Sequence, residues 1–77
     1  MRSYKRIESN PNIMFGKPVI KGTRVTVEII LRKLSAGLSP GEIVREHPTI
    51  NLADIREAQV FAADLLAGEE FYFAESA

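Results

Sequence analysis

The seventeen residues Thr26-Val27-Glu28-Ile29-Ile30-Leu31-Arg32-Lys33-Leu34-Ser35-Ala36-Gly37-Leu38-Ser39-Pro40-Gly41-Glu42 contain two helix starts and the stop between them. Val27, Ile30, Leu31 and Leu34 recur at i, i+3, i+4 and i+7, one apolar stripe of a helix over residues 27–36. Thr26 stands where an N-cap belongs, and Gly37 where a left-handed stop belongs. Ser39-Pro40-Gly41-Glu42 then supplies a capping box with proline at the first helical position. The second helix, 40–47, buries Ile43 and Val44 and ends at His47, because Pro48 disfavours helical geometry in the residue before it. Downstream, Asn51 caps a third helix over 52–67, with Asp54 in its first turn, Leu52, Ile55, Ala58, Ala62 and Leu65 along its apolar face, and Gly68 closing it. The expected fold is mainly α. The order of helix, short capped helix, tight turn and longer helix is that of a helix-turn-helix module, and also that of any small three-helix bundle.

Upstream, residues 1–26 carry strand and turn signals. Tyr4 to Ile7 alternates loosely, Asn10-Pro11-Asn12 is a turn cluster, and Val19-Ile20 and Thr23 to Val27 are β-branched runs parted by Lys21-Gly22. The chain therefore reads as a basic β arm or hairpin (1–26), a three-helix core (27–67) and an acidic aromatic tail (68–77) within a single domain. With 77 residues and no cysteine, neither a large core nor disulfides can add stability, so a homodimer or larger assembly is expected. The N-terminus lacks the apolar run of a signal peptide and no segment approaches a membrane span, which leads to the expectation of a soluble cytoplasmic protein that does not engage membrane.

The zero net charge conceals a division. Residues 1–33 hold eight cations against two carboxylates, net +6; residues 34–77 hold two cations against eight carboxylates, net −6. Such asymmetry points to an anionic partner for the basic half, or to pairing of unlike halves within the molecule or across a dimer. The cations with this potential are Lys5, Arg6, Lys17, Lys21, Arg24, Arg32 and Lys33, with Thr23 among them in the arm. If DNA were read by the third helix, its first turns would present Asn51, Asp54, Arg56, Glu57 and Gln59, and two carboxylates facing phosphates would weaken binding. The arm and the first helix are the better nucleic-acid or partner surface, with Arg56 of the third helix a further candidate.

Catalysis finds little support. His47 is the only histidine and is expected to decorate a helix end, and the Asp and Glu residues fall on predicted exposed faces or in the tail. One histidine, no cysteine and scattered carboxylates do not make a zinc or calcium site. Gly16 and Gly22 lack the spacing and following lysine of a phosphate loop. No enzyme activity, metal or cofactor is expected. Phe71, Tyr72 and Phe73 either close the chain's own core or project into a partner's groove.

The block Asn10-Pro11-Asn12-Ile13-Met14-Phe15-Gly16-Lys17-Pro18-Val19-Ile20-Lys21-Gly22-Thr23-Arg24-Val25-Thr26-Val27, continued by Leu34 to Pro40 and Asp54-Ile55-Arg56, resembles the short bacterial and archaeal proteins of domain of unknown function 433. The matching signature residues are Gly16, Lys17, Pro18, Ile20, Gly22, Thr23, Arg24 and Val27. The resemblance implies a homeodomain-like, winged-helix-related fold. For many members it implies an antitoxin that wraps and blocks a PIN-like nuclease toxin and often represses its own operon, with no catalytic residues of its own. Such nucleases cluster carboxylates around metals, so insertion of Lys21 or Arg24 among those acids is the expected mode of inhibition. Glu69, Glu70 and Glu75 covering a basic RNA channel is the second. A stand-alone operator-binding regulator and a structural oligomerisation module are the alternatives.

Overall fold

The computed structural model describes residues 2–68 and 70–73. Four short strands and three helices follow one another as β1 (Arg2–Tyr4), β2 (Ile7–Glu8), β3 (Val19–Ile20), α1 (Val27–Ser35), α2 (Pro40–Glu46), α3 (Leu52–Leu66) and β4 (Phe71–Phe73), with a 3-10 turn at Met14–Gly16. The protein is mainly α with an N-terminal hairpin. Among the described residues no helix is long and apolar enough to cross a membrane.

The helix boundaries come from local chemistry. Thr26 accepts the Ile29 N–H on Oγ1 at 3.0 Å and starts α1. Gly37, at φ 99°, lets Leu38 N–H reach back to the Lys33 carbonyl (3.1 Å) and its own N–H to that of Leu34 (3.0 Å), closing the helix without stranding its last carbonyls. At α2 the Ser39 hydroxyl accepts from Glu42 N–H (3.1 Å) while Ser39 N–H donates to the Glu42 carboxylate (2.9 Å). α3 opens with the same reciprocal device, Asn51 with Asp54, at 3.0 and 2.9 Å.

β2 pairs antiparallel with β3, Ile7 opposite Ile20. The second expected β-branched run, Thr23 to Val27, is not a strand. Gly22 at φ 78° turns the chain, Thr23 Oγ1 accepts the Val25 N–H (3.0 Å), and Thr26 makes a single bridge to Val19 before it is taken as the cap of α1. With the Val25 N–H taken by the Thr23 hydroxyl, the pairing stops at two backbone bonds, Ile20 N–H to the Val25 carbonyl and Val27 N–H to the Pro18 carbonyl, both 2.9 Å. β1 runs parallel to β4, Ser3 opposite Tyr72, so residues 71–73 of the acidic aromatic segment lie against the start of the chain. Glu69 and Glu75 of that segment lie outside the described residues.

Isoleucine from each layer meets in one core: Ile7, Ile20, Ile30, Ile43 and Ile55 are all essentially inaccessible, joined by Val27, Ala58 and Phe61. The inward line of α3 differs from the expected one. Ile55, Ala58 and Phe61 face the core, whereas Leu52 and Leu65 are 58% and 54% exposed. The N-terminal segment packs on α3 and covers the side of that helix that carries Phe61. The Tyr4 ring meets Phe61 edge to face at 5.0 Å, and its hydroxyl donates to Asp64 at 2.5 Å. The Phe73 ring lies 5.9 Å from Phe61 on a tilted plane, so this aromatic contributes to the chain's own core.

One carboxylate departs from the exposed placement read from the sequence. Asp54 is 6% exposed, and besides its cap it holds the Arg6 guanidinium at 3.2 Å; Glu57, one turn on, accepts the Arg6 backbone N–H at 2.6 Å. Truncating Ile43 or Ile55 to alanine removes a fully enclosed side chain and is expected to lower unfolding free energy by about 2–5 kcal/mol. Ser39→Ala is expected to cost about 1 kcal/mol through loss of the cap. Urea denaturation of the three variants checks the ranking, and equal losses at Ser39 and Ile43 would contradict it.

Candidate partner-docking groove

Where the hairpin turns into α1, the chain leaves a groove of about 590 Å³. Its walls are Met14, Val25 and Ile29, its rim Lys17, Arg24, Glu28 and Arg32, and Thr26 and His47 complete the lining. The placement follows from elements already described. Val27 N–H donates to the Pro18 carbonyl at 2.9 Å, holding the segment before β3 alongside the first turn of α1. Lys17 thereby reaches Glu28, and Arg24 enters the same rim from the loop beyond the turn.

Two of the rim cations share one acid. Glu28 accepts from Lys17 Nζ at 2.9 Å and from Arg32 Nε at 3.2 Å. The hydrogen bond from Lys17, then that from Arg32, hold the Glu28 carboxyl below its ordinary value. All three side chains remain well exposed, 53% for Lys17, 47% for Glu28 and 73% for Arg32, so these pairs are screened by water and readily exchange partners. Arg24 is exposed and, among the described residues, makes no ion pair. The rim thus carries three cations and one carboxylate above an apolar floor.

His47 adds an unmet polar group. Its backbone N–H caps α2 by donating to the Ile43 carbonyl at 2.9 Å, the helix-end role read from the sequence. Its Nε2 is buried and has no hydrogen-bond partner among the described residues. A buried nitrogen in that condition favours an occupant that can bond it.

Of the residues singled out in the sequence, Lys17, Arg24 and Arg32 converge on this groove. The others do not. Lys21 is half-buried and its N–H donates to the Arg6 carbonyl at 2.8 Å. Thr23 spends its hydroxyl within the turn, donating to the Ile20 carbonyl at 2.8 Å. Lys33 is ion-paired with Glu46 on α2. Arg56 borders a separate cavity of about 440 Å³ with Arg6 and Glu57. Phe71 and Tyr72 take their places in β4, opposite Arg2 and Ser3, while Phe73 packs inward. Sequence reading missed the roles of Glu28 and Met14 here. The i, i+4 spacing of Glu28 and Arg32 was visible, but the approach of Lys17 depends on the hairpin.

Met14 and Phe15, at φ 49° and 59°, are left-handed although neither is glycine, and they precede Gly16 at φ 81°. Each such non-glycine residue costs on the order of 1–2 kcal/mol, and such strain collects where a side chain must be presented in a particular way. Phe15 is 95% exposed.

The acid–base rim has a signed pH consequence. The Glu28 carboxyl is depressed in the folded protein, so its contribution to stability is complete above the unfolded value near 4.5 and disappears as pH falls through the folded value. Glu28→Gln is expected to flatten the acid limb of the stability curve below pH 4.5. Thermal melts of wild type and variant across that range check it, and an unchanged acid limb would count against the pairing.

Comparison with known proteins gives three findings. The family described as "Protein of unknown function (DUF433)" matches residues 7–62. The "Uncharacterized protein y4eO" of Sinorhizobium fredii (strain NBRC 101917 / NGR234) is 33% identical over 70 residues, which cover 90% of this chain and 32% of that protein; the chain thus spans about a third of its relative's length. No solved structure matches.

Proposed function

Since this chain belongs to the DUF433 family, we propose that it acts as a non-catalytic binding module, the antitoxin of a toxin–antitoxin pair whose toxin is a PIN-like nuclease. The observation that carries the reading is the groove rim, where Lys17, Arg24 and Arg32 stand around the single carboxylate of Glu28. A surface of that composition suits a partner rich in clustered carboxylates, and a metal-binding nuclease centre is such a partner. Arg24 is the group that enters it, being exposed and having no ion pair to break among the described residues. Lys17 and Arg32 follow by exchanging Glu28 for the partner's acids, at little cost because both pairs are solvent-exposed. His47, whose buried Nε2 has no hydrogen-bond partner among the described residues, lines the same cavity.

Operator binding through a helix-turn-helix receives less support. The first two turns of α3, which would have to enter a groove of DNA, are engaged by the N-terminal segment, Arg6 bonding Asp54 and Glu57. Its cap residue Asn51 is committed to Asp54.

The test is inhibition of the nuclease encoded beside this protein, measured as RNA cleavage at increasing antitoxin. Arg24→Ala is expected to weaken inhibition by about 2 kcal/mol, roughly thirtyfold, the loss typical of an arginine at the centre of an interface. Arg45→Ala, on the exposed side of α2, should leave inhibition unchanged. Undiminished inhibition by Arg24→Ala would remove the groove from the mechanism, and tight gel-shift binding to the protein's own promoter, lost in Arg56→Ala, would favour the DNA reading.

A further inference from the structure

A third cavity shares Glu28 and Arg32 with the groove. It measures about 300 Å³ and is walled by Val27, Leu31, Phe61 and Leu65, with Pro18 at its edge. For scale, an apolar cavity of about 150 Å³ admits a benzene molecule. Nothing in the chain's own described residues fills it, although Leu65 beside it is 54% exposed. Near it along the chain, Phe15 is 95% exposed in a turn whose backbone is left-handed at three consecutive residues. Phe15 precedes Pro18 by three residues, so by chain length its Cα lies within about 11 Å of that of Pro18 at the socket's edge. Knob and socket also border one ridge, because Lys17 bonds Glu28, and Glu28 and Arg32 line the socket.

We propose that this face is a two-fold interface between copies of the chain, in which each Phe15 inserts into the partner's apolar socket. A two-fold contact requires a patch that complements itself, with residue i meeting j and j meeting i. The ridge satisfies this requirement. Glu28 and Arg32 sit one turn apart on α1, at 47% and 73% side-chain exposure, and antiparallel crossing of two α1 helices sets each Glu28 against the partner's Arg32. That charge complementarity selects a second copy over an unrelated apolar partner. Lys17 and Arg24 line only the other groove, whereas Arg32 borders both. The dimer draws Arg32 to the partner copy's Glu28, and self-association of the purified chain is measured with no nuclease present, so the interface can fail or stand without the antitoxin reading.

Sedimentation equilibrium of the purified chain over a concentration series tests the proposal. Phe15→Asn removes the ring while supplying a residue that tolerates the left-handed turn, and Leu65→Arg blocks the socket from an exposed position. Both variants should keep the wild-type circular dichroism spectrum. Wild type is expected to be a dimer, and each variant should self-associate at least about a hundredfold more weakly, as befits loss of both copies of an aromatic anchor. Mixing the two variants is the decisive arm. The Phe15→Asn chain keeps an intact socket, and the Leu65→Arg chain keeps the phenyl ring that fits it. A heterodimer with one working contact should therefore form, tighter than either variant alone. A wild-type chain that stays monomeric, variants that dimerise like wild type, or folded variants that do not complement would each overturn the proposal.

Discussion

The buried carboxylate of Asp54 is the junction through which the two ends of this chain are joined. It closes the cap of α3 by accepting the Asn51 N–H at 2.9 Å, and its other oxygen holds the Arg6 guanidinium at 3.2 Å. An Asp at 6% exposure is tolerated only because both oxygens are bonded, one of them to a cation. The junction fixes the N-terminal segment on α3, and from that attachment the neighbouring contacts follow: Glu57 takes the Arg6 N–H, Tyr4 reaches Asp64, and the Tyr4 ring meets Phe61 edge to face. Ile7 is then carried into the isoleucine core opposite Ile20. In a chain of 77 residues, where little surface can be buried, such polar stitching determines where the small apolar core ends.

The opposite charges of the two halves acquire a double meaning from this arrangement. Part of the asymmetry is internal: Arg6 meets Asp54 and Lys33 meets Glu46, each a cation of the first half with an acid of the second. Another part is gathered rather than neutralised. Lys17 and Arg32 lean on Glu28, an acid of their own half, and Arg24 on none among the described residues. The fold thus sorts its cations into those that hold the structure together and those left at the rim of an apolar groove. A net charge summed over the whole sequence cannot express that sorting.

Strain and exposure coincide in the loop before the hairpin's second strand. Met14 and Phe15 occupy a backbone region that side chains avoid; Met14 lines the groove, and the phenyl ring of Phe15 stands in solvent. Buried contacts do not explain this posture, because the ring makes almost none. A chain that has so little core and yet exposes Phe15 and Leu65 has surface that is better accounted for by association than by folding.

Short-range chemistry was legible in the residues before any packing was known. Thr26, Ser39 with Glu42, and Asn51 start the helices, and Gly37 stops the first, because caps and left-handed stops depend on residues within a few positions of one another. Family membership was likewise legible in the run from Gly16 to Val27. Local hydroxyl bonds at Thr23, by contrast, defeated the strand expected there, since β propensity says nothing of where a backbone N–H will find its partner. Only the tertiary structure decided that Asp54 is buried, that Phe61 rather than Leu65 faces inward, that Phe73 belongs to the core, and which three cations meet over one carboxylate. Those outcomes rest on contacts such as Tyr4 with Asp64 and Arg6 with Asp54, whose partners lie 60 and 48 positions apart. Separation of that order leaves no periodicity in a linear sequence, and the pairing exists only once packing has brought the two ends together.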